Sequence, residues 1–343
     1  TLCLALMQIV YGPLTDTWGR RNVLLPGIAL YVLASVGCAF APTIGWFLGF
    51  RALQAIGIAT GSVVATTVIG DLFEGRERGR AMGTFQMCVS LGPVLGPLIG
   101  GVIGGVTDST GVFFVLAGVA VLMLGMNLRF LPETKPEVAG GNRFSLRDFA
   151  TVLRHPVGLG IVVLAFVQYY TFYNYLVFMP TVLTDEYGLS ASEKGFVFLP
   201  LSIMIVIGSF LGGRLQERFH PRRYMVVIAL VNVLAVLLFP FAAAWALPAL
   251  IGATTLFGLC LGLSLPVQTT LLTGAFQRER GTAVGVYNFF RYLGMAAGPM
   301  LGSFLFHLGR LPVLFGFATV LGALTTLFLR RQLGFNRIDR LQE

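Results

Sequence analysis

The sequence predicts an all-α protein that crosses a lipid bilayer many times, and three observations predict it. Of its 343 residues, 56% are hydrophobic and only 11% charged, whereas soluble domains carry about 25% charged residues. The apolar residues fall in blocks close to the roughly 20 residues needed to cross about 30 Å of hydrocarbon. Motifs of the first half also recur in order in the second, so the chain reads as a duplicated bundle.

Taken in order, the apolar blocks give eleven spans: Thr1–Leu14, Val23–Ala41, Ile44–Gly70, Ala81–Val106, Val112–Leu131, Val157–Leu183, Gly195–Leu215, Tyr224–Ala244, Leu247–Thr273, Thr282–Leu308 and Pro312–Leu329. The first block starts at Thr1 without a basic flank or a small-residue cleavage site, which reads as the tail of a truncated helix and not as a signal peptide. Most linkers are short. The exception, Pro132–His155, is polar and holds Pro132, Pro136 and Gly140-Gly141. It divides the chain into an N-terminal bundle (1–131), a central loop (132–155) and a C-terminal bundle (156–343). Within the loop, Ser145–Arg154 alternates charged and apolar residues as a short interfacial helix does. The four cysteines lie inside apolar blocks without metal-ligand spacing, and read as small buried hydrophobes.

Basic residues predict the orientation. The formal charge of +9 does not form a nucleic-acid-binding stripe, because 20 of the 24 Lys and Arg sit in alternate linkers and the C-terminal tail. The positive-inside rule makes those segments cytoplasmic, the central loop and C-terminus among them. Lys194 and Arg310 fall on the opposite side, and Arg51 and Arg291 lie within spans.

The repeat is specific. Gly12-x-Leu14-x-Asp16 and Arg21 recur as Gly213-x-Leu215-x-Glu217 and Arg222, an offset of 201. Arg78-Gly79-x-Ala81-x-Gly83 recurs as Arg280-Gly281-x-Ala283-x-Gly285, an offset of 202. Gly92, Gly96, Pro97 and Gly100 recur as Gly294, Gly298, Pro299 and Gly302, again at 202. Parallel helical repeats around a midplane site, with alternating access as the halves rock, are a transporter architecture.

At these motifs a family resemblance enters. Gly12-Pro13-Leu14-Thr15-Asp16-Thr17-Trp18-Gly19-Arg20-Arg21 resembles the loop signature between the second and third helices of the major facilitator superfamily. Arg51-x-x-Gln54-x-x-Gly57 resembles the family's fourth-helix signature. Gly92-Pro93-Val94-Leu95-Gly96-Pro97-Leu98-Ile99-Gly100-Gly101 resembles the fifth-helix signature associated with antiporters, and Leu131-Pro132-Glu133-Thr134 the end of helix 6 in 12-helix drug exporters. Two departures stand out: Thr17 replaces a usual basic residue, and His220-Pro221 interrupts the second loop copy. The resemblance implies two six-helix bundles, helices 2 to 12 in view and helix 1 absent. It further implies a bicyclomycin/chloramphenicol-resistance-like drug:proton antiporter: a monomer in the cell (inner or plasma) membrane, with no cofactor, a proton gradient as energy source, and protons, lipid and small amphipathic molecules as partners.

Candidate residues follow. Gly12, Asp16, Gly19, Arg20, Arg21 and Asp71, with Arg80 on the same membrane face, are expected to latch one conformational state; Arg21, Arg76 and Arg78 by themselves read as solvated loop charge. Gly92, Gly96 and Gly100 leave one helix stripe without side chains, so that backbones approach closely, and Pro93 and Pro97 favour a kink. Arg51, one turn from Gln54, is costly inside a membrane, about 2.5–3.5 kcal/mol on insertion scales. It is the proton-coupling candidate. Gln86, Tyr169, Tyr173, Asn174, Gln268, Asn288, Arg291 and Tyr292, with Gln54, are expected to line a polar, aromatic substrate cavity.

All Asp and Glu lie in linkers or at span ends, and proton-coupled carriers use a titratable group within the membrane. Arginine cannot release a proton at accessible pH, so the expected carrier is an acid on helix 1, paired with Arg51. A facilitator or a sugar or amino-acid exporter needs no such acid and is the alternative. A non-transporting receptor or scaffold is disfavoured by the complete motifs. Nothing resembles a catalytic triad, metal-ligand cluster or phosphate loop, so an enzyme is not expected.

Overall fold

The computed structural model describes residues 2–135 and 146–332. Every regular element among them is helical: α1 (Leu2–Trp18), α2 (Arg20–Ala39), α3 (Ile44–Leu72), α4 (Gly75–Phe130), α5 (Leu146–Arg154), α6 (Pro156–Asp185), α7 (Ala191–Leu215), α8 (Pro221–Trp245), α9 (Leu247–Ala275) and α10 (Arg280–Gln332). Helix is what apolar blocks require in hydrocarbon, where each segment must satisfy its own backbone N–H and C=O groups. Starts follow local chemistry. Thr43 accepts the Trp46 amide at the start of α3, Ser190 and Glu193 form a capping box at α7, and Pro156 and Pro221 open α6 and α8, where the missing N–H is no loss.

The eleven expected spans map onto nine of these helices. α4 has 56 residues, about 84 Å if straight, and carries two spans in one run. α10 carries two across a break at Gly309 and Arg310. Arg310 has φ +51°, a left-handed conformation that is uncommon for any residue but glycine. Eight described segments are long and apolar enough to cross a membrane. The short helix expected in the central loop is α5; residues 136–145 lie outside the described residues.

By compactness the chain forms two units. The first comprises Thr1–Glu74, Leu95–Val152 and Phe276–Phe289; the second comprises Gly75–Val94, Leu153–Ala275 and Phe290–Glu343. The start of α4 thus belongs to the second unit and the start of α10 to the first.

In the first unit α2 and α3 pack backbone to backbone, and a Cβ on Gly57 would lie 2.7 Å from the Gly27 carbonyl oxygen. Val23, Leu24 and Val64 form the adjoining apolar cluster. The second unit is centred on four rings from four helices. Tyr175 lies 4.6 Å from Phe239, 4.5 Å from Phe257 and 4.7 Å from Phe315, centroid to centroid. Such pairs contribute about 0.5–1.5 kcal/mol each beyond their buried area. Cys38 and Cys260 are buried as expected, but Cys3 and Cys88 are exposed: an apolar block in lipid turns part of its surface outward, so lying within a block does not by itself imply burial.

Candidate functional site

Two polar constellations stand out, one in each unit. The first is built on Asp16, in the last turn of α1. Its Oδ1 accepts the Gly281 amide at 2.9 Å, and its Oδ2 accepts the Thr282 amide at 2.7 Å and the Thr282 hydroxyl at 2.9 Å. A carboxylate at a helix N-terminus satisfies amides that have no partner within the helix and faces the positive end of its dipole. Asp16 thus caps α10, a helix of the other sequence half, inside the first unit. Gly12 makes the approach possible: a Cβ there would lie 2.9 Å from the Gly281 carbonyl and 3.3 Å from the Gly285 Cα.

Around this cap the charges form one network. Arg20 is 1% exposed and donates from Nε to Asp71 Oδ2 at 2.8 Å, from Nη1 to the Thr15 carbonyl at 3.1 Å, and lies 3.6 Å from Asp16. Asp71 also takes Arg280 Nη1 on Oδ1 at 2.7 Å and the Thr134 hydroxyl at 3.1 Å. Glu133 accepts the Arg20 and Arg21 amides at 2.9 and 3.1 Å and so caps α2. It packs against Gly19, whose φ of +98° suits glycine. Arg21 reaches the Leu128 carbonyl at 2.8 Å near the end of α4.

Asp16, Gly19, Arg20, Arg21 and Asp71 are therefore brought together, whereas Arg80 joins a different cluster. Two members, Arg280 and Glu133, were not singled out in the sequence. Both sit in motifs that were legible there, Arg280 in the repeat of Arg78-Gly79 and Glu133 in Leu-Pro-Glu-Thr.

The second unit holds a partial copy. Gly83 and Gly213 approach as Gly285 and Gly12 do, a Cβ on either falling 2.6 Å from the other's Cα. Glu217, the counterpart of Asp16, pairs with the Arg80 side chain and not with helix amides. The offset of 202 places Thr273 where Asp71 stands in the first copy. Arg78, the counterpart of Arg280, is 8% exposed, with Nη1 close to Gly274 at the end of α9. It is not the solvated loop charge that its place in a polar linker suggested, because its side chain is buried against the end of α9. The repeat keeps the geometry twice and the full carboxylate network once.

The glycine stripe splits similarly. The surroundings of Pro93, Gly96, Pro97 and Gly100 lie outside the described residues, and Gly92 has open space beside it. Its second-half copy is packed: a Cβ on Gly298 would lie 2.7 Å from the Tyr170 carbonyl, and Gly302 seats the Asn174 amide and the Phe178 ring. This stripe holds α6 against α10. Asn174, expected in a cavity, is 0% exposed and is part of that seam.

Arg51 is exposed and donates to Gln54 Oε1 at 2.9 Å; Gln54 Nε2 donates to Ser35 at 2.7 Å, which donates to the Tyr31 carbonyl at 2.7 Å. The arginine also lies 5.9 Å from the Phe113 ring centroid. Asn288 donates to Gln8 Oε1 at 3.1 Å within the first unit. Gln86 is buried in α4.

The second constellation lies between α6 and α10. The Arg291 guanidinium sits 5.0 Å from the ring centroids of both Tyr169 and Tyr292 and donates to the Tyr292 hydroxyl at 3.2 Å. Tyr173 is within electrostatic reach of all three. Tyr169, Tyr173, Arg291 and Tyr292 are thus one cluster. In the same unit Gln268 donates to Gln168 at 2.7 Å and to Ser264 at 3.1 Å, all three buried.

Known proteins place this arrangement. The first two curated relatives are Multidrug resistance protein 3 and Multidrug transporter protein MdtP, both of Bacillus subtilis and both 27% identical to this chain. The matches cover 84% and 86% of this chain and 67% and 65% of the relatives, so the chain spans about two thirds of their length. A solved structure, the human organic anion transporter MFSD10 (TETRAN), superposes with TM-score 0.80 at 20% identity, covering 95% of this chain and 82% of that one; at that identity it speaks to the fold. The profile of the Major Facilitator Superfamily matches residues 1–168 and again 161–335, one match to each repeat. The chain belongs to the Major Facilitator Superfamily.

Proposed function

We propose that this protein exports small amphipathic molecules across the cell membrane by alternating access, as a monomer driven by inward proton flow, with the central loop and C-terminus on the cytoplasmic side. The observation that carries the reading is the Asp16 cap. Three hydrogen bonds from Gly281 and Thr282 to one carboxylate, reinforced through Arg20, Asp71 and Arg280, tie first-half helices to the start of a second-half helix. A latch that must open and re-form in every cycle needs bonds of this kind: charge-assisted, directional, and confined to one end of the helices. Export of drugs is supported by the names of the two Bacillus relatives, and orientation by the placement of the Lys and Arg residues.

Coupling to protons is assigned to the Arg51–Gln54–Ser35 chain, acting with a carboxylate. An arginine is costly within a membrane, so a carboxylate beside Arg51 is favoured. A facilitator is the second reading, favoured by the absence of Asp and Glu from the interiors of the spans of this sequence. The two are separated in energised inverted membrane vesicles with a fluorescent amphipathic dye. An antiporter accumulates the dye and releases it when a protonophore collapses the gradient. Equilibration without accumulation, unchanged by the protonophore, identifies the facilitator.

A further inference from the structure

A cavity of about 150 Å³ lies within the second unit, where α6, α8 and the first stretch of α10 end. Its base is apolar: Val182, Ala243 and Leu311 are buried, and the half-buried Phe306 ring stands beside them. Its rim is charged, with Asp185 as the last residue of α6, Glu186 as the C-cap and Arg310 at the break in α10. The walls are fixed by contacts of their own. Phe306 stacks on Phe178 with centroids 5.0 Å apart, and the Tyr187 hydroxyl donates to the Ala243 carbonyl at 2.6 Å, which ties the segment after Glu186 to α8.

The field at the rim favours a cation. The lining holds two carboxylates and one guanidinium. Three helical stretches present the negative ends of their dipoles here, and only the second stretch of α10 begins here. The chain itself already places a cation at this spot, since Arg310 Nη2 lies 3.8 Å from Asp185 Oδ2. That pair is long, and its partners are 64% and 45% exposed, so it is weak and yields to a competitor. Arg310 holds it from a left-handed backbone conformation that favours glycine. The volume sets the size of the guest. Drug-sized sites run to about 300–1,000 Å³, whereas about 150 Å³ accommodates one benzene-sized group. A primary ammonium suits the rim, because its three N–H donors can serve both carboxylates; three methyl groups on the nitrogen would add bulk and remove every donor.

We propose that this cavity binds a small primary ammonium, its nitrogen held by the Asp185 and Glu186 carboxylates and its apolar group against Phe306, in competition with the Arg310 guanidinium. The ethanolamine headgroup of a phospholipid and a soluble amine carry the same group, and the experiment separates the two sources. The site does not depend on the export reading above.

The experiment titrates the purified protein in phosphatidylcholine nanodiscs with 4-fluorobenzylammonium, 4-fluorobenzyl alcohol and 4-fluorobenzyltrimethylammonium. Fluorine NMR linewidths are the readout, with empty nanodiscs as the baseline. The primary ammonium is expected to bind about fivefold more tightly than either comparator, the gain of a partly solvated ion pair. Asp185→Asn should remove that margin and leave the alcohol unchanged. Arg310→Gln removes the competing cation and should tighten the primary ammonium by about two- to fivefold. Both positions are exposed, and opposite shifts at them exclude a folding defect as a shared cause. The proposal is overturned if the primary ammonium does not bind at millimolar concentration, or binds no more tightly than the alcohol or the trimethylammonium. It is also overturned if Asp185→Asn leaves its affinity unchanged, or if the two variants shift it in the same direction. Repeating the titration in nanodiscs that contain phosphatidylethanolamine names the source. Loss of affinity for the probe assigns the site to the lipid headgroup and unchanged affinity to a soluble amine; either result upholds the ammonium site.

Discussion

Asp71 is the residue on which the proposed latch turns. It is 4% exposed and holds both Arg20 and Arg280, so Asp71→Asn leaves two buried guanidinium groups short of a carboxylate. Breaking a buried pair from one side costs about 3–5 kcal/mol, whereas loss of a helix cap costs about 0.5–2 kcal/mol. Thermal unfolding in detergent should therefore rank Asp71→Asn well below Asp16→Ala, with the wild-type protein highest. An equal drop for the two variants would show that Asp71 serves only as part of the cap. Asp16 and Arg20 were legible in the sequence because they stand in a motif, and Asp71 because its linker falls on the same membrane face. Arg280 was not, since its partner is 209 residues away and only the folded chain brings them to 2.7 Å. Similarly, Asn174 reads as a cavity residue by type, and the structure seats its amide against Gly302, where a Cβ would meet it.

At the scale of elements, helices meet where glycine removes the side chain. In lipid there is no hydrophobic force between helices, so close van der Waals contact must hold them. A Cβ on Gly285 would lie 3.0 Å from the Gly12 Cα, and Gly285→Leu is expected to abolish export by forcing α1 and α10 apart. Gly316→Leu is the matched control, in open space on the same helix, and should retain at least half of wild-type flux. Equal loss in both would make leucine in α10, not the close approach, the cause. A second comparison uses Gly298, whose Cβ would meet the Tyr170 carbonyl at 2.7 Å. Gly298→Leu should shift α6, and with it Tyr169 and Tyr173, changing substrate preference before protein level; dye-efflux profiles beside immunoblots measure both. The sequence marked these stripes by their four-residue spacing. It did not say which copy is packed, because glycine spacing names the face that permits contact and not the partner that fills it.

For the whole molecule, the repeat underlies the fold, and its two copies differ in charge. Nearly every span was legible, because apolar length is the dominant signal in a bilayer, and both halves match the same family profile. Less legible was the asymmetry: Thr273 stands at the repeat position of Asp71, and Asp16 caps amides where Glu217 takes a side chain. One charge network is thus buried, and its copy pairs through an exposed arginine. The claim that the first is the working latch is tested most directly at the amides it protects. Hydrogen exchange on the peptide containing Gly281 and Thr282 should be followed by mass spectrometry, in liposomes at rest and during substrate-driven turnover. Slow exchange at rest should become at least tenfold faster during turnover, and Asp16→Asn should exchange fast in both conditions. Unchanged protection while substrate is crossing the membrane would contradict the account, because the cap would then be a static joint and not a latch.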